Sequence, residues 1–328
     1  MRAMILAADV GGTKTLVGLF ETGARAPKAV RRATFPSQDR PSFEAILAEF
    51  VGSERPRIRA CGIGVAGPVI DGRSGIVNLP WSIDARKVAR RFGIERVGLL
   101  NDLEAWAWSL RALPPSKLRN LTPGLRPRPG NAGLIAAGTG LGTACLWWDG
   151  AGHRPSPAEG GHAGWAPLDP REIPLWDKLR ALYGRVSIER VCAAPGISTI
   201  YDHLAAGGRE PPGGNAGDRN AAISTAALHG TDSVAVDALD LWVRHYGAAA
   251  GDLALSLGAV GGMYVGGSVA RKILPKLEDG TFVKAFRDKG RLTEYVSRIP
   301  IKVVIEPHAA LVGAAAFAAT LSLRKGKR

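Results

Sequence analysis

A two-lobed α/β protein is the fold class this sequence predicts, and three observations lead to it. The 328 residues exceed what one ordinary domain of roughly 100–200 residues encloses. Short apolar runs of strand length alternate with stretches of helical period. Finally, a strand, a glycine-rich turn and a second strand open the chain at residues 4–20, and the same arrangement returns at 134–148. ILAADVGGTKTLVGLF lies over LIAAGTGLGTACLWWD without a gap, so that Ala7-Ala8-Asp9 meets Ala136-Ala137-Gly138. Each copy opens a lobe, which points to a duplicated architecture.

The first lobe reads in order. Residues 4–8 and 16–20 are apolar strands around the turn Asp9 to Thr15. Pro41 and Ser42 open a helix to Phe50, with Phe43, Ile46, Leu47 and Phe50 on one stripe. Residues 58–66 form a strand ending at Gly67-Pro68. Ser82 is placed to cap a helix running to Phe92. Residues 97–100 form a buried strand leading into Asn101-Asp102, and a helix follows with Leu103, Trp106, Leu110 and Leu113 on one face. Pro114-Pro115 ends it, and the proline- and arginine-rich segment to Asn131 is the expected lobe boundary.

In the second lobe, strands at 134–137 and 143–148 flank Gly138-Thr139-Gly140-Leu141-Gly142. A polar loop spans 150–171, and helices are expected near 172–182, 187–192, 196–205, 219–228 and 233–256. The stretch GGREPPGGNAGD at 207–218 is too polar and glycine-rich to be core. A strand at 263–265 sits between glycine pairs, a helix covers 269–277, and 301–305 is the last strand. Residues 308–323 form an alanine-rich helix able to approach a neighbour closely. The expected division is thus 1–113 completed by 308–328, and 114–307.

Composition narrows the function. Hydrophobic residues make up 46% and charged residues 22%, as in a globular protein and unlike a disordered chain. Net charge is +14, with 31 Arg and 12 Lys, and four of the positive charges fall in the tail at Arg324, Lys325, Lys327 and Arg328. No dense basic stripe interleaves with aromatics, so nucleic acid is not an expected partner. The apolar run at the N-terminus stops at Asp9 without a cleavage signature, and the uncharged stretches are broken by glycine or short of a span. No membrane association and a cytoplasmic location are expected. Cys61, Cys145 and Cys192 lie far apart in apolar surroundings and read as buried thiols.

Three glycine-rich turns follow short strands, at 9–15, 138–143 and 261–268. Such turns expose closely spaced backbone N–H groups that bind phosphate oxygens. Neither GxxxxGK[ST] nor a GxGxxG opening a helix occurs. Asp9 ends a buried strand beside such a turn, where a carboxylate orients magnesium or its water shell or simply caps the turn. Asp102 stands where a strand meets a helix; it suits a general base for an attacking hydroxyl, and Asn101 or Asp102 equally suits a helix cap. Glu159 and His162 are three residues apart on glycine-hinged backbone and can face one small polar ligand. Glu189 is a first-turn helix acid.

Taken together, DVGGTKT, LLNDLEAWAWSL, AAGTGLGTA, EGGHAGWAP, VSIERVCAAPG and VGGMYVGGSVARKILP, in this order, resemble the bacterial glucokinase family within the hexokinase and actin-like ATPase superfamily. The resemblance spans nearly the whole chain. It implies two ribonuclease H-like lobes of the actin-like ATPase fold around a central cleft. It also implies transfer of a phosphoryl group from Mg-ATP to the 6-hydroxyl of D-glucose, with Asp102 as general base. Asn78, Asn101, Asp102, Glu159, His162 and Glu189 would hold the sugar. Asp9 would hold Mg2+ directly or through water. Gly11, Gly12, Thr13 and Lys14, with Gly138, Thr139, Gly140 and Gly142, would hold the phosphates, and Gly261, Gly262, Gly266 and Gly267 the adenosine. A homodimer is the expected assembly, with a monomer as alternative.

Departures from the family pattern are the GGTKT turn, which is closer to the related sugar kinases grouped with repressors, and Gly164 in place of a frequent Asp; the cysteine-rich motif usual in that neighbouring group does not follow His162. Another hexose or amino sugar, ADP or polyphosphate as donor, and a non-enzymatic sugar sensor are the rival readings. The sensor is disfavoured by retention of the whole acidic set.

Overall fold

The structure is a computed structural model describing residues 4–21, 27–52, 56–76, 79–205, 212 and 218–323. The chain divides into two units, Met1–Lys117 with Glu306–Arg328, and Leu118–Ile305. The fold is α/β with mixed sheets.

In unit 1, β1 (Met4–Val10), β2 (Lys14–Glu21) and β3 (Lys28–Pro36) form an antiparallel meander. α1 (Phe43–Val51) follows, and the predicted stripe Phe43, Ile46, Leu47 and Phe50 is buried. Ser42 caps it by accepting the Ala45 N–H at 3.2 Å. β4 (Ile58–Val65) adds parallel to β1, and β5 (Arg73–Gly75) and β6 (Ser82–Asp84) make a small hairpin. The helix cap expected at Ser82 belongs to Asp84. Ser82 is a strand residue, while Asp84 Oδ1 accepts the Arg86 and Lys87 N–H groups at 2.8 and 3.3 Å and opens α2 (Ala85–Phe92). β7 (Arg96–Asn101) pairs with β4 and runs into α3 (Asp102–Ser109). The sheet order is β3-β2-β1-β4-β7.

Unit 2 repeats this plan. β8 (Leu118–Asn120) precedes the meander β9 (Ala132–Ala137), β10 (Leu141–Trp148) and β11 (His153–Ala158). Helices α4 (Ile173–Tyr183), α5 (Ile188–Cys192), α6 (Ala194–Leu204), α7 (Arg219–His229) and α8 (Ser233–Leu257) come next. β12 (Gly262–Gly266) joins parallel to β9. α9 (Gly267–Lys272) and α10 (Leu274–Glu278) replace the single helix expected at 269–277. Pro275, with no N–H and a ring that crowds the preceding turn, divides them. α11 (Thr281–Arg287), α12 (Thr293–Ser297) and β13 (Ile301–Val304) complete the unit. The order β11-β10-β9-β12-β13-β8 puts an antiparallel meander beside parallel strands, as in unit 1. Its core surrounds Trp242, Tyr246 and Tyr201, with Phe282 and Phe286 from α11.

The chain then returns to unit 1 as α13 (Ala309–Leu323). Its small residues permit a very close approach. A Cβ added to Gly62 of β4 would overlap the Ala314 carbonyl, and one added to Gly313 would overlap the Ala105 carbonyl of α3. Among the described residues no helix is long and apolar enough to cross a membrane. All three cysteines are buried free thiols, with the Cys61 and Cys192 thiols pushed well up by burial.

Candidate active site

The carboxyl edge of the first sheet gathers the acidic residues. β1, β4 and β7 run parallel and end together at Val10, Val65 and Asn101, the end at which open α/β sheets bind ligands. Asp9 is the next-to-last residue of β1. Burial first, and then the charge of Asp102, push its carboxyl up to about 6, with Lys14 pulling the other way. Asn101 ends β7, and Asp102 opens α3. Both helix-capping alternatives are realised at once, because Asn101 Oδ1 and Asp102 Oδ1 each accept the Leu103 N–H at 2.9 Å.

The first glycine turn is braced from β3. Gly11 N–H donates to the Lys14 carbonyl (3.0 Å) and Ser37 N–H to that of Thr13 (2.9 Å). The Ser37 hydroxyl donates to Gly11 O (2.8 Å) and lies 2.9 Å from the Thr15 hydroxyl. A cavity of about 300 Å³ is lined by Asp9, Gly11, Gly12, Thr13 and Lys14 on one side and Pro307 and His308 on the other. Pro307 and His308 come from the segment entering α13 and carry no glycine motif, so sequence reasoning missed them.

Asp9 is therefore a half-buried acid that folding pushes toward neutrality. Its folded pKa, about 6, lies above the ordinary 3.8, so the native state holds the proton more tightly, and ligand-free stability falls as pH rises from about 4 to 6. Asp9→Asn should raise the stability of the metal-free protein at pH 7 by about 1–3 kcal/mol, with the gain disappearing near pH 4. Urea unfolding at the two pH values checks this; equal midpoints at pH 7 would show that Asp9 is not strained.

Unit 2 supplies the second group. Gly138 N–H donates to Gly140 O at 2.8 Å, and Gly138 O accepts the Ala194 N–H at the start of α6 at 2.8 Å. Gly267 has φ +92°, and an added Cβ would overlap the Ala137 carbonyl, which is why the turn after β12 lies so close to the turn after β9. A cleft of about 210 Å³ opens there, lined by Gly138 and Thr139, Ala194 and Pro195, Asn220 and Ser224, and Ser268 and Lys272 among others. Lys272 is paired with Asp218 at 3.5 Å. Asn220 and Lys272 sit on ordinary helical stretches, and only the fold brings them to the glycine turns.

Gly261 and Gly262 need correction. β12 runs from Gly262, opposite Ala132, to Gly266, opposite Ala136, so the first glycine pair is about 13 Å from the second at strand rise. Gly261 packs on the backbone of Gly130 and Asn131 and near His153. Its role is close packing at the far edge of the sheet. Only Gly266 and Gly267 lie at the turn beside Gly138.

Glu159 and His162 bracket a 3-10 turn, Gly160–His162. Both face solvent, with side chains 80% and 60% exposed and Oε2 3.9 Å from Nε2. Gly160 N–H donates to Thr143 Oγ1 at 2.9 Å, which seats the turn on β10. Glu189 reaches the same strand, where its Oε2 accepts the Leu141 N–H at 2.9 Å. One oxygen of Glu189 thus serves the second glycine turn, a contact that sequence reading did not anticipate. The residues after His162 pair with those before Glu189, since Trp165 N–H donates to Val186 O (3.0 Å) and Ile188 N–H to Ala163 O (2.9 Å). Asn78 lies outside the described residues.

The family model described as Glucokinase matches residues 6–321. The chain belongs to the glucokinase family. It is 34% identical over 345 residues to a glucokinase of Nostoc punctiforme, covering 97% of this chain and 99% of the relative. It is also 35% identical over 351 residues to one of Synechocystis sp., with the same coverages. Among solved structures it is similar to a glucokinase from an Antarctic psychrotroph, with a TM-score of 0.83 and 29% identity over 97% of this chain and 99% of that one. A ROK family glucokinase from Streptomyces griseus, in complex with glucose and AMPPNP, aligns at a TM-score of 0.66 and 25% identity, again over 97% and 99%. Family membership makes this glucokinase-family chain a sugar kinase, and the glycine turns and acidic edge described above fall within the matched span.

Proposed function

We propose that this chain transfers the γ-phosphoryl group of Mg-ATP to the 6-hydroxyl of D-glucose, giving glucose 6-phosphate and ADP. The observation that carries the reading is the pair Asp9 and Asp102 at the carboxyl edge of β1 and β7, beside a glycine turn, in a chain aligned end to end with glucokinases. The architecture belonging to it is two ribonuclease H-like lobes, with unit 1 supplying acid–base chemistry and unit 2 the nucleoside and sugar loops.

The residues fit a divalent cation. Among the described residues no group of three or more His, Cys, Asp or Glu side chains forms a cage. A half-buried Asp9 pushed upward beside a second carboxylate is nonetheless a donor set that a cation relieves, and magnesium is commonly held by one or two carboxylates and retained water. Asp9 would hold it, and its charge would neutralise that developing on the transferred phosphoryl group. Asp102 takes the proton of the 6-hydroxyl as that oxygen attacks. General-base assistance of this kind contributes about 10²–10⁴ in rate. The N–H groups of Gly11, Gly138 and Leu141 are bonded within the protein, and the remaining amides of the turns at 11–14 and 138–142 would meet the phosphate oxygens, with glycine allowing close backbone approach. Asn101, Glu159, His162 and Glu189 fix the remaining sugar hydroxyls, and the cleft lined by Asn220 and Lys272 takes the nucleoside. That cleft favours a nucleotide over polyphosphate, which has no group to fill it.

A kinase screen tests the reading. Glucose, mannose, fructose, glucosamine and N-acetylglucosamine are offered with ATP, ADP or polyphosphate at matched magnesium. The highest kcat/KM is expected for glucose with ATP, and no turnover of any sugar would overturn the assignment.

A further inference from the structure

α8 touches four segments of the candidate site from beneath. The Trp242 indole N–H donates to the Ala193 carbonyl at 3.0 Å, immediately before Ala194 and Pro195. The Tyr246 hydroxyl is 3.2 Å from the carbonyls of both Ile135 and Gly266, on the strands that lead into the two glycine turns. Between them, His245 holds the loop carrying Glu159 and His162. Its Nδ1 accepts the Trp165 indole N–H at 3.1 Å, and the two rings stack edge to face with centroids 5.1 Å apart. An indole N–H can only donate, so Nδ1 carries a lone pair and the proton of the neutral ring is on Nε2. Nε2 stands 3.1 Å from Glu172 Oε2, an approach too bent for a regular hydrogen bond. The same Oε2 accepts the Leu168 N–H at 2.7 Å.

Trp165, His245 and Glu172 are 7%, 2% and 4% exposed. A buried carboxylate is a costly way to fill a core, and apolar residues of similar volume often serve stability better. What this trio supplies is direction. Trp165 lies three residues beyond His162 and is hydrogen-bonded to Val186 through its backbone, so fixing its ring fixes the chain from the Gly160–His162 turn to the start of α5. A further side-chain hold on the loop, Arg185 Nη1 to His162 O at 2.8 Å, is on the exposed side.

We propose that His245, oriented by Glu172, is a positioning residue that holds Trp165 and through it sets Glu159 and His162 for sugar binding. This rests on the reading of their loop as the sugar site. The role predicts an effect on sugar affinity separate from nucleotide affinity.

The test compares wild type, Trp165→Phe and His245→Gln by steady-state kinetics and by hydrogen–deuterium exchange of residues 159–165. Trp165→Phe keeps an aromatic ring at the position and removes the donor together with the pyrrole half of the indole. It should raise the glucose KM about tenfold, as expected for one lost buried hydrogen bond, leave the ATP KM within about twofold, and speed exchange in the loop. His245→Gln can accept from the indole and donate to Glu172, so its glucose KM should stay within about twofold of wild type. Unchanged glucose KM and loop exchange in Trp165→Phe would overturn the role. A parallel rise of both KM values with a lower Tm would overturn it too, as general loosening. If wild type turns over no sugar, the glucokinase reading fails. Loop exchange then judges the clamp alone, with faster exchange in Trp165→Phe sustaining it and no change removing it.

Discussion

Asp102→Asn should lower kcat by about 10²–10⁴ while leaving glucose affinity close to wild type. The substitution keeps the size of the side chain and its carbonyl-type acceptor, and removes only the capacity to take a proton. It should also leave α3 in place, because the Leu103 N–H is accepted by Asn101 Oδ1 as well as by Asp102 Oδ1. A second consequence follows from the electrostatics: the Asp102 charge is one of the two causes holding Asp9 up, so the pKa of Asp9 should fall in the variant. Glucose binding by calorimetry beside kcat separates the roles. A variant with near-normal kcat would remove Asp102 from the chemistry, and one that binds no glucose would make it a sugar ligand first.

Gly313→Ala should cost the most stability of any single-methyl addition in unit 1, about 3 kcal/mol or more, at the upper end for overpacking. The new methyl would overlap the Ala105 carbonyl and crowd the Ser109 amide. Both are backbone atoms, so no rotamer change relieves the clash and α3 must shift relative to α13. Asp102 is the first residue of α3, and kcat should therefore fall along with Tm. Gly75→Ala is the matched control, since an added Cβ there meets nothing within 4 Å. Equal urea midpoints for the two variants would contradict the tight α3–α13 contact.

Much of the fold was legible because period and punctuation agree in the central elements. β1, β4 and α1 have apolar patterns that match their burial, and the gapless overlay of the two strand–turn–strand units corresponds to two sheets that share a five-strand order, the second with β8 added at its edge. Edge strands escaped. β3 carries Lys28, Arg31 and Arg32, and β11 includes two prolines, a composition that suits an exposed sheet edge and hides its strand character. The site divides similarly. Asp9, Asp102 and the turns at 11–14 and 138–142 announce themselves because strand ends and glycines fix them locally. Gly261 and Gly262 looked equivalent to Gly266 and Gly267, because a glycine pair at either end of a strand reads alike until the register is known. Asn220, Lys272 and His308 carry no local signature. The Trp165–His245 hydrogen bond joins residues 80 apart, and only tertiary packing could create it.

The return of α13 to the first unit fixes an order of events during synthesis. One apolar cluster of that unit joins Ile5, Ala7, Leu16, Phe20 and Ala60 to Leu311, Ala314, Ala315 and Ala318. Translation usually lets N-terminal domains fold first, at about 5–20 residues per second. Here the earliest residues made must wait with one face of their sheet uncovered, while the contiguous stretch Leu118–Ile305 has all its strands available sooner. A nascent chain arrested before residue 309 should therefore protect the later unit from protease while leaving β1 and β4 open to cleavage. The strands β1, β2 and β4 thus present a surface that is closed only by α13, a helix made after the whole of unit 2.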